Sequence, residues 1–255
     1  MIQSKTMRGM GVPFLALVGN LLLAAPLLAT TYTYDFGGGG GELGVSSFIF
    51  SSNPSGGPSI TAYGLSLTSA TSAPPTSTNG TPVNLYQKNA GAGETGLGIS
   101  NLVTGDSDGE IKTLITAQDI HGNPTQYTTY FVQLDLTPVF SAGGSIQVAV
   151  LESVQSGELY QFWASANSKQ LGSTDSLSGV SCDSNGVCTG NISLSASTPY
   201  LSLTSPFTVN PEGDVLLRSI SATTPRLPDT VPEPATWLLL GSGLVGLILW
   251  RKRTA

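Results

Sequence analysis

Apolar residues in this chain alternate with polar ones far more often than they recur at helical spacing. Residues 60–68 (ITAYGLSLT) alternate around Ile60, Ala62, Leu65 and Leu67, with a slip at Gly64 that reads as a β-bulge. Residues 130–136 (YFVQLDL) put Tyr130, Val132, Leu134 and Leu136 on one face. Residues 146–150 group Ile146, Val148 and Val150, and residues 159–163, 200–203 and 215–220 behave alike. No stretch of the middle of the chain sustains a 3.6-residue apolar period. The runs are separated by turn formers: GGGGGE, NPSGGPS, APPTSTNGTP, HGNPTQ, SAGG and NPEGD. Many short strands punctuated this way predict an all-β fold, an antiparallel β-sandwich or jelly roll. The glycine run 37–41 and the Pro/Ser/Thr-rich stretch 71–82 are expected to be exposed or disordered.

Two longer apolar runs lie at the ends. Residues 1–29 read as a secretory signal peptide: Lys5 and Arg8 supply the basic start, residues 11–28 the apolar stretch, and Ala29 a small residue before polar Thr30. Near the other end, residues 235–250 carry no charge. As a helix they would span about 24 Å against a hydrocarbon core of roughly 30 Å, a short transmembrane helix. Trp237 and Trp250 sit near its ends, where indoles favour the membrane interface. Arg251, Lys252 and Arg253 follow as a basic stop-transfer cluster that stays cytoplasmic. The expected organisation is a signal peptide (1–29), a β-sandwich ectodomain (30–222), a linker (223–230) and a C-terminal segment (231–255).

Charge agrees with export of everything between the two ends. Residues 30–235 hold five Lys and Arg against all sixteen Asp and Glu, a net charge of −11. Such a domain repels phosphate backbones, which excludes nucleic acid as a partner and favours cations, neutral glycans or basic surfaces. Of the two cysteines, Cys182 and Cys188 flank Asn185-Gly186 symmetrically in CDSNGVC. Asn-Gly is a hairpin-turn dipeptide, so a disulfide across the hairpin is expected, and an exported location would preserve it. The pair is too few for a zinc site and lacks the C-x-x-C spacing of a redox centre.

The end of the chain is ordered in a specific way: Pro232, Glu233 and Pro234, then the apolar run, then Arg251-Lys252-Arg253. The prolines keep the tripeptide extended. This end resembles the PEP-CTERM sorting signal of Gram-negative bacteria. The resemblance implies export, transient anchoring in the inner membrane through the C-terminal helix, and processing near the Pro-Glu-Pro tripeptide by an exosortase-type membrane protease. It further implies a final place at the cell surface or outside the cell, in bacteria that make exopolysaccharide. More loosely, residues 32–222 resemble exported domains of PEP-CTERM proteins. The matching positions are Glu94, Gly96-Leu97-Gly98, Asp108 and Glu110-Ile111, with FVQLDL, GELYQFWAS and DVLLRSISA later. That resemblance implies a β-sandwich and brings no activity with it.

Four carboxylates, Glu94, Asp106, Asp108 and Glu110, fall within seventeen residues. Hard oxygens so clustered suit Ca2+, and a solvated acidic loop is the competing reading. The spacing is not that of an EF-hand, because Ile111 and Ala117 stand at the sixth and twelfth positions from Asp106. Residues 105–109 match G-x-S-x-G around Ser107, but nothing nearby reads as the strand-turn-helix that a nucleophile elbow needs. A triad of Ser107, Asp119 and His121 would be crowded into one local segment, and His121 reads as part of a turn. Carboxylates such as Asp135, Glu152 and Glu158 are candidates for a glycosidase pair, whose separation the sequence does not give. Trp163 is the one indole outside the tail, and its alternating strand makes it a core residue before a sugar platform. The sequence therefore favours a non-enzymatic surface or matrix protein associated with exopolysaccharide or biofilm. The alternative is a Ca-stabilised carbohydrate-binding jelly roll, and a secreted hydrolase comes third.

Overall fold

Strand follows strand from Ala29 onward in the computed structural model, which describes residues 29–91, 93–100, 109–155, 158–207, 214–225, 239 and 241–243. In chain order the strands are β1 (Ala29–Asp35), β2 (Gly41–Glu42), β3 (Ser47–Phe50), β4 (Ile60–Ser69), β5 (Thr81–Pro82), β6 (Leu85–Asn89), β7 (Thr95–Ile99) and β8 (Thr113–Gln118). They continue as β9 (Pro124–Asp135), β10 (Ser145–Glu152), β11 (Gln161–Ser165), β12 (Ser173–Asp175), β13 (Ser178–Cys182), β14 (Cys188–Asn191), β15 (Tyr200–Thr204) and β16 (Leu216–Pro225). One helical turn, α1 (Thr137–Ser141), follows β9, where Asp135 Oδ1 accepts the Thr137 N–H at 2.9 Å.

These strands make two eight-stranded antiparallel sheets, the all-β architecture that the alternation predicts. The first runs β13-β14-β10-β16-β7-β6-β2, with β1 also on β16; the second runs β12-β11-β15-β9-β4-β3, with β5 on β4 and β8 on β9. Each sheet is built on one long strand. β9 pairs with β4 along one edge and with β15 and then β8 along the other. β16 pairs with β10 along one edge and with β1 and then β7 along the other.

The main core lies between the sheets. Tyr34, Phe36, Leu97, Ile99, Leu151, Leu217 and Ile220 meet Phe50, Ile60, Ala62, Val132, Leu134, Phe162, Leu201 and Leu203 there. Phe36 and Phe50 pack edge to face at 4.8 Å. The Tyr34 hydroxyl donates to the Pro58 carbonyl at 2.6 Å. Burial, with Tyr32 adding to it, pushes the Tyr34 phenol up to about 12.

A second apolar cluster covers the far side of the second sheet. Leu65, Leu67, Phe131 and Leu171 are buried there, with Tyr63 and Trp163 packed against them. This corrects the expected bulge at Gly64. β4 and β9 pair without a break from Thr61 opposite Asp135 to Ser69 opposite Tyr127. The apparent slip arises because Ile60 and Ala62 face one core while Leu65 and Leu67 face the other. Gly64 is needed for closeness instead, since a Cβ there would overlap the Val83 carbonyl. The grouping of Ile146, Val148 and Val150 is also corrected. A register shift between Ile146 and Val148 changes which residues face inward, so Ala149 and Leu151 join Ile146 in the core.

Residues 71–79 are mostly exposed, as expected, yet the stretch is tied down. Gly80 N–H donates to Lys169 O at 2.8 Å and Gly172 N–H to Thr76 O at 2.9 Å. The compact unit spans Ala29–Pro225, so β16 runs three residues into the expected linker. Ala29 pairs with Pro225, which sets the first and last strands side by side. Among the described residues no helix is long and apolar enough to cross a membrane. Of the apolar run 235–250, Leu239 and residues 241–243 are described and are helical; the rest of that run, and residues 1–28 of the expected signal peptide, lie outside the described residues.

Candidate functional site

The Gly-Leu-Gly of β7 underlies a polar cluster on the first sheet. Leu97 points into the core, so Gly96 and Gly98 present bare backbone on the opposite face of the first sheet. The chain from Gly109 to Glu110 lies directly on that face. A Cβ at Gly98 would overlap the Gly109 carbonyl, and one at Gly109, where φ is +76°, would overlap the Tyr86 ring. Ile111 then exchanges backbone hydrogen bonds with Val215 at 2.9 and 3.2 Å and enters the core.

This crossing buries Glu110 beside β6. Its Oε1 accepts from Lys88 Nζ at 2.8 Å and from Ser153 Oγ at 2.6 Å. Lys88 reaches Glu94 Oε2 as well, at 3.1 Å. Burial works against the Lys88 ammonium, but Glu110 and then Glu94 outweigh it, and its pKa is raised. A second set lies alongside. Arg218 contacts Glu152 Oε1 at 3.4 Å and Asp35 Oδ1 at 3.0 Å, while Glu152 Oε2 accepts the Thr95 N–H at 2.6 Å. Lys112 Nζ lies 3.5 Å from Asp214 Oδ1.

Of the four carboxylates expected to hold Ca2+, Glu94 and Glu110 converge, and the Lys88 ammonium lies between them. Asp106 and Asp108 lie outside the described residues, as does Ser107. Among the described residues no group of three or more His, Cys, Asp and Glu is placed to hold a metal ion. Lys88, Ser153, Glu152 and Arg218 were not legible as partners. The available signal was scarcity: residues 29–225 hold four Lys and Arg, and three of them sit against carboxylates.

The Cys182–Cys188 disulfide is formed, across the first pair of the β13–β14 hairpin. Asp183 Oδ1 accepts the N–H groups of Val187 and Asn185, both at 2.9 Å, and these bonds hold its carboxyl below the usual range. The hairpin tip docks on the first sheet, where Val154 N–H donates to Gly186 O at 3.0 Å. A cleft of about 710 Å3 opens there, lined by Gly93, Glu94, Ser153, Val154, Gln155, Glu158, Tyr160 and residues 182–186. Burial raises the Glu158 carboxyl, against a hydrogen bond from Gln155 N–H that lowers it, and the charge of Glu110 raises it further.

The remaining candidates are dispersed. Asp119 and His121 form an exposed turn in which Asp119 Oδ1 accepts the His121 N–H at 2.8 Å and the Asn123 N–H at 2.9 Å. Asp135 accepts the Thr137 N–H at the start of α1, Glu152 is held by Arg218, and Glu158 lines the cleft. Trp163 is half-buried in the second apolar cluster and donates from Nε1 to Thr204 Oγ1 at 2.8 Å.

Pro232, Glu233, Pro234, Arg251, Lys252 and Arg253 lie outside the described residues. Residues 230–253, which contain all six, match the family model of the PEP-CTERM protein-sorting motif. The chain carries a PEP-CTERM sorting motif. The motif makes it an exported substrate of exosortase, a membrane protein that recognises this end of the chain. No curated protein and no solved structure matches the chain.

Proposed function

We propose that this protein is a non-enzymatic component of the bacterial surface or its matrix, retained in exopolysaccharide or biofilm after sorting. An N-terminal signal (residues 1–29) exports it, residues 235–250 hold it in the inner membrane, and exosortase cuts near residues 232–234. The observation that carries this reading is the sorting motif joined to a sandwich whose charged groups engage one another. Lys88, Glu94 and Glu110 form one such set, and Asp35, Glu152 and Arg218 another. Side chains so engaged stabilise a scaffold more readily than they reach a substrate, because each carboxylate lies against a cation of the same fold.

A second reading, a Ca-stabilised carbohydrate-binding module, draws on the convergence of Glu94 and Glu110. In it a Ca2+ would take oxygens from Glu94, Asp106, Asp108 and Glu110 and would displace the Lys88 ammonium from between the two glutamates.

The test is co-sedimentation of the full chain, in mild detergent, with exopolysaccharide from an exosortase-bearing bacterium, once with Ca2+ and once with EDTA. Saturable pelleting in both buffers is the expected result. Pelleting lost in EDTA would transfer support to the Ca2+ reading. Absence of pelleting in either buffer overturns matrix retention. In the native host, replacing residues 232–234 with alanines should leave the chain uncut at its membrane-anchored length.

A further inference from the structure

The cleft beside the disulfide hairpin has a chemistry of its own, and the following inference rests on the matrix reading above. At about 710 Å3 it falls within the range of roughly 300–1,000 Å3 typical of small-ligand sites. It does not end at Tyr160. Glu158 and Tyr160 also line a neighbouring cleft of about 350 Å3 that continues to Asp175 and Leu177. Two clefts meeting at one aromatic residue suit a linear polymer better than a compact metabolite.

Charge narrows the class of polymer. Glu94, Glu158 and Asp183 line the first cleft and Asp175 the second, and no Lys or Arg is among the described residues lining either. Lys88, which contacts the cleft residue Glu94, lies between Glu94 and Glu110 with 15% of its side chain exposed. Uronates, sulfated sugars and phosphates would meet like charge there. An ammonium would meet carboxylates in a partly desolvated setting, where charge-assisted hydrogen bonds are strong. Tyr160 adds an aromatic surface, its ring 6.2 Å from that of Phe162. Such a surface stacks on the C–H face of a pyranose and attracts a nearby cation.

The wall facing Tyr160 is rigid before any ligand arrives. The hairpin is closed by the Cys182–Cys188 disulfide, its loop is held by Asp183, and its tip is bonded to Val154. A preformed wall spares the ordering entropy that binding would otherwise cost.

We propose that this groove binds a linear amino-sugar polymer, with Tyr160 stacked on a pyranose ring and Glu94 and Glu158 paired with its ammonium groups. Neutral glycans would gain the stacking and lack the ion pairs. Burial raises the Glu158 carboxyl and the charge of Glu110 adds to this, so a bound ammonium would favour its charged form.

Isothermal titration of the full chain in mild detergent with a glucosamine hexamer tests this, with the N-acetylglucosamine hexamer and a galacturonate oligomer as parallel probes. The glucosamine hexamer should bind saturably, roughly tenfold tighter than its N-acetylated counterpart, and should weaken as salt rises. Galacturonate should give no heat. Glu158→Gln and Tyr160→Ala should each weaken binding about fivefold or more with an unchanged circular dichroism spectrum. Should Tyr160→Ala not fold, Tyr160→Leu keeps most of the volume, removes the ring and is read the same way. Absent binding, equal binding of the acetylated or uronate probe, or wild-type affinity in both variants overturns the proposal. Exopolysaccharide that still co-sediments while the glucosamine hexamer does not bind would remove this groove assignment and leave matrix retention standing.

Discussion

On the outer face of the first sheet, Glu110 meets Lys88 at 2.8 Å and Ser153 at 2.6 Å from a crossing segment that rests on Gly98. On the outer face of the second sheet, Phe131 lies among Leu65, Leu67 and Leu171, with Gly80 pressed against the ring. Both faces are covered by non-strand segments, and the covers hold by opposite means. The apolar cover gains free energy from area removed from water, in proportion to what is buried and with little demand on geometry. The charged cover must first offset the desolvation of Glu110 and Lys88, and does so because each finds a partner at hydrogen-bond distance. Even the apolar cover contains one polar anchor. Buried Gln133 donates to Gln170 O at 2.8 Å and Ser202 Oγ at 3.0 Å and accepts the Lys169 N–H, which fixes the segment that carries Leu171.

The sharpest way to break this comparison is Phe131→Ala. It should remove about 3–5 kcal/mol in urea unfolding, with no dependence on salt, because it leaves a cavity in the second cluster. Lys88→Met should cost about 3 kcal/mol by leaving Glu110 buried without its cation. Its signature is in pH. The raised Lys88 pKa means that its stabilisation is fully present below the unfolded value near 10.4 and is lost as pH rises through the folded value. Lys88→Met should therefore flatten part of the alkaline loss of stability, which Phe131→Ala should leave unchanged. Tyr34 supplies the internal control from the main core. Its phenol, at about 12, holds its contribution below pH ~10 and loses roughly 2–3 kcal/mol between pH ~10 and ~12. Tyr34→Phe should remove that component in alkaline melts. Gly98→Ala should destabilise by about 1–3 kcal/mol, since the added methyl must displace the Gly109 backbone. The smallest effect belongs to Trp163→Phe. Loss of the bond to Thr204 should cost about 1 kcal/mol by chemical denaturation.

Much of the main core was legible in the sequence. Period-two alternation placed Tyr130, Val132, Leu134 and Leu136 together, and all four are buried in the main core. The Asn-Gly turn placed Cys182 opposite Cys188. What escaped was the second cluster. β9 is buried on both faces, so Phe131 and Gln133 are buried opposite Tyr130, Val132 and Leu134, and a reading that seeks one buried face misses them. Phe131 looked like an outward residue until residues 167–172 and Gly80 covered it. The charged cluster was half legible. Glu94 and Glu110 are near in sequence, and a cluster of carboxylates was visible as such. Their partners Lys88 and Ser153 come from β6 and from the turn after β10, 22 and 43 residues from Glu110, and no local pattern joins them.

The sequence by itself determined the sorting motif at 230–253, since order and residue type along one short segment are all that such a signal needs. It also determined the strand class and the hairpin disulfide, because alternation and turn chemistry act between near neighbours. Tertiary structure alone decided which faces are covered, where the register shift after Ile146 turns β10 over, and that Lys88 lies between Glu94 and Glu110. Each of these depends on strands distant in the chain meeting at a fixed register, and register is set by the whole sheet rather than by any one strand.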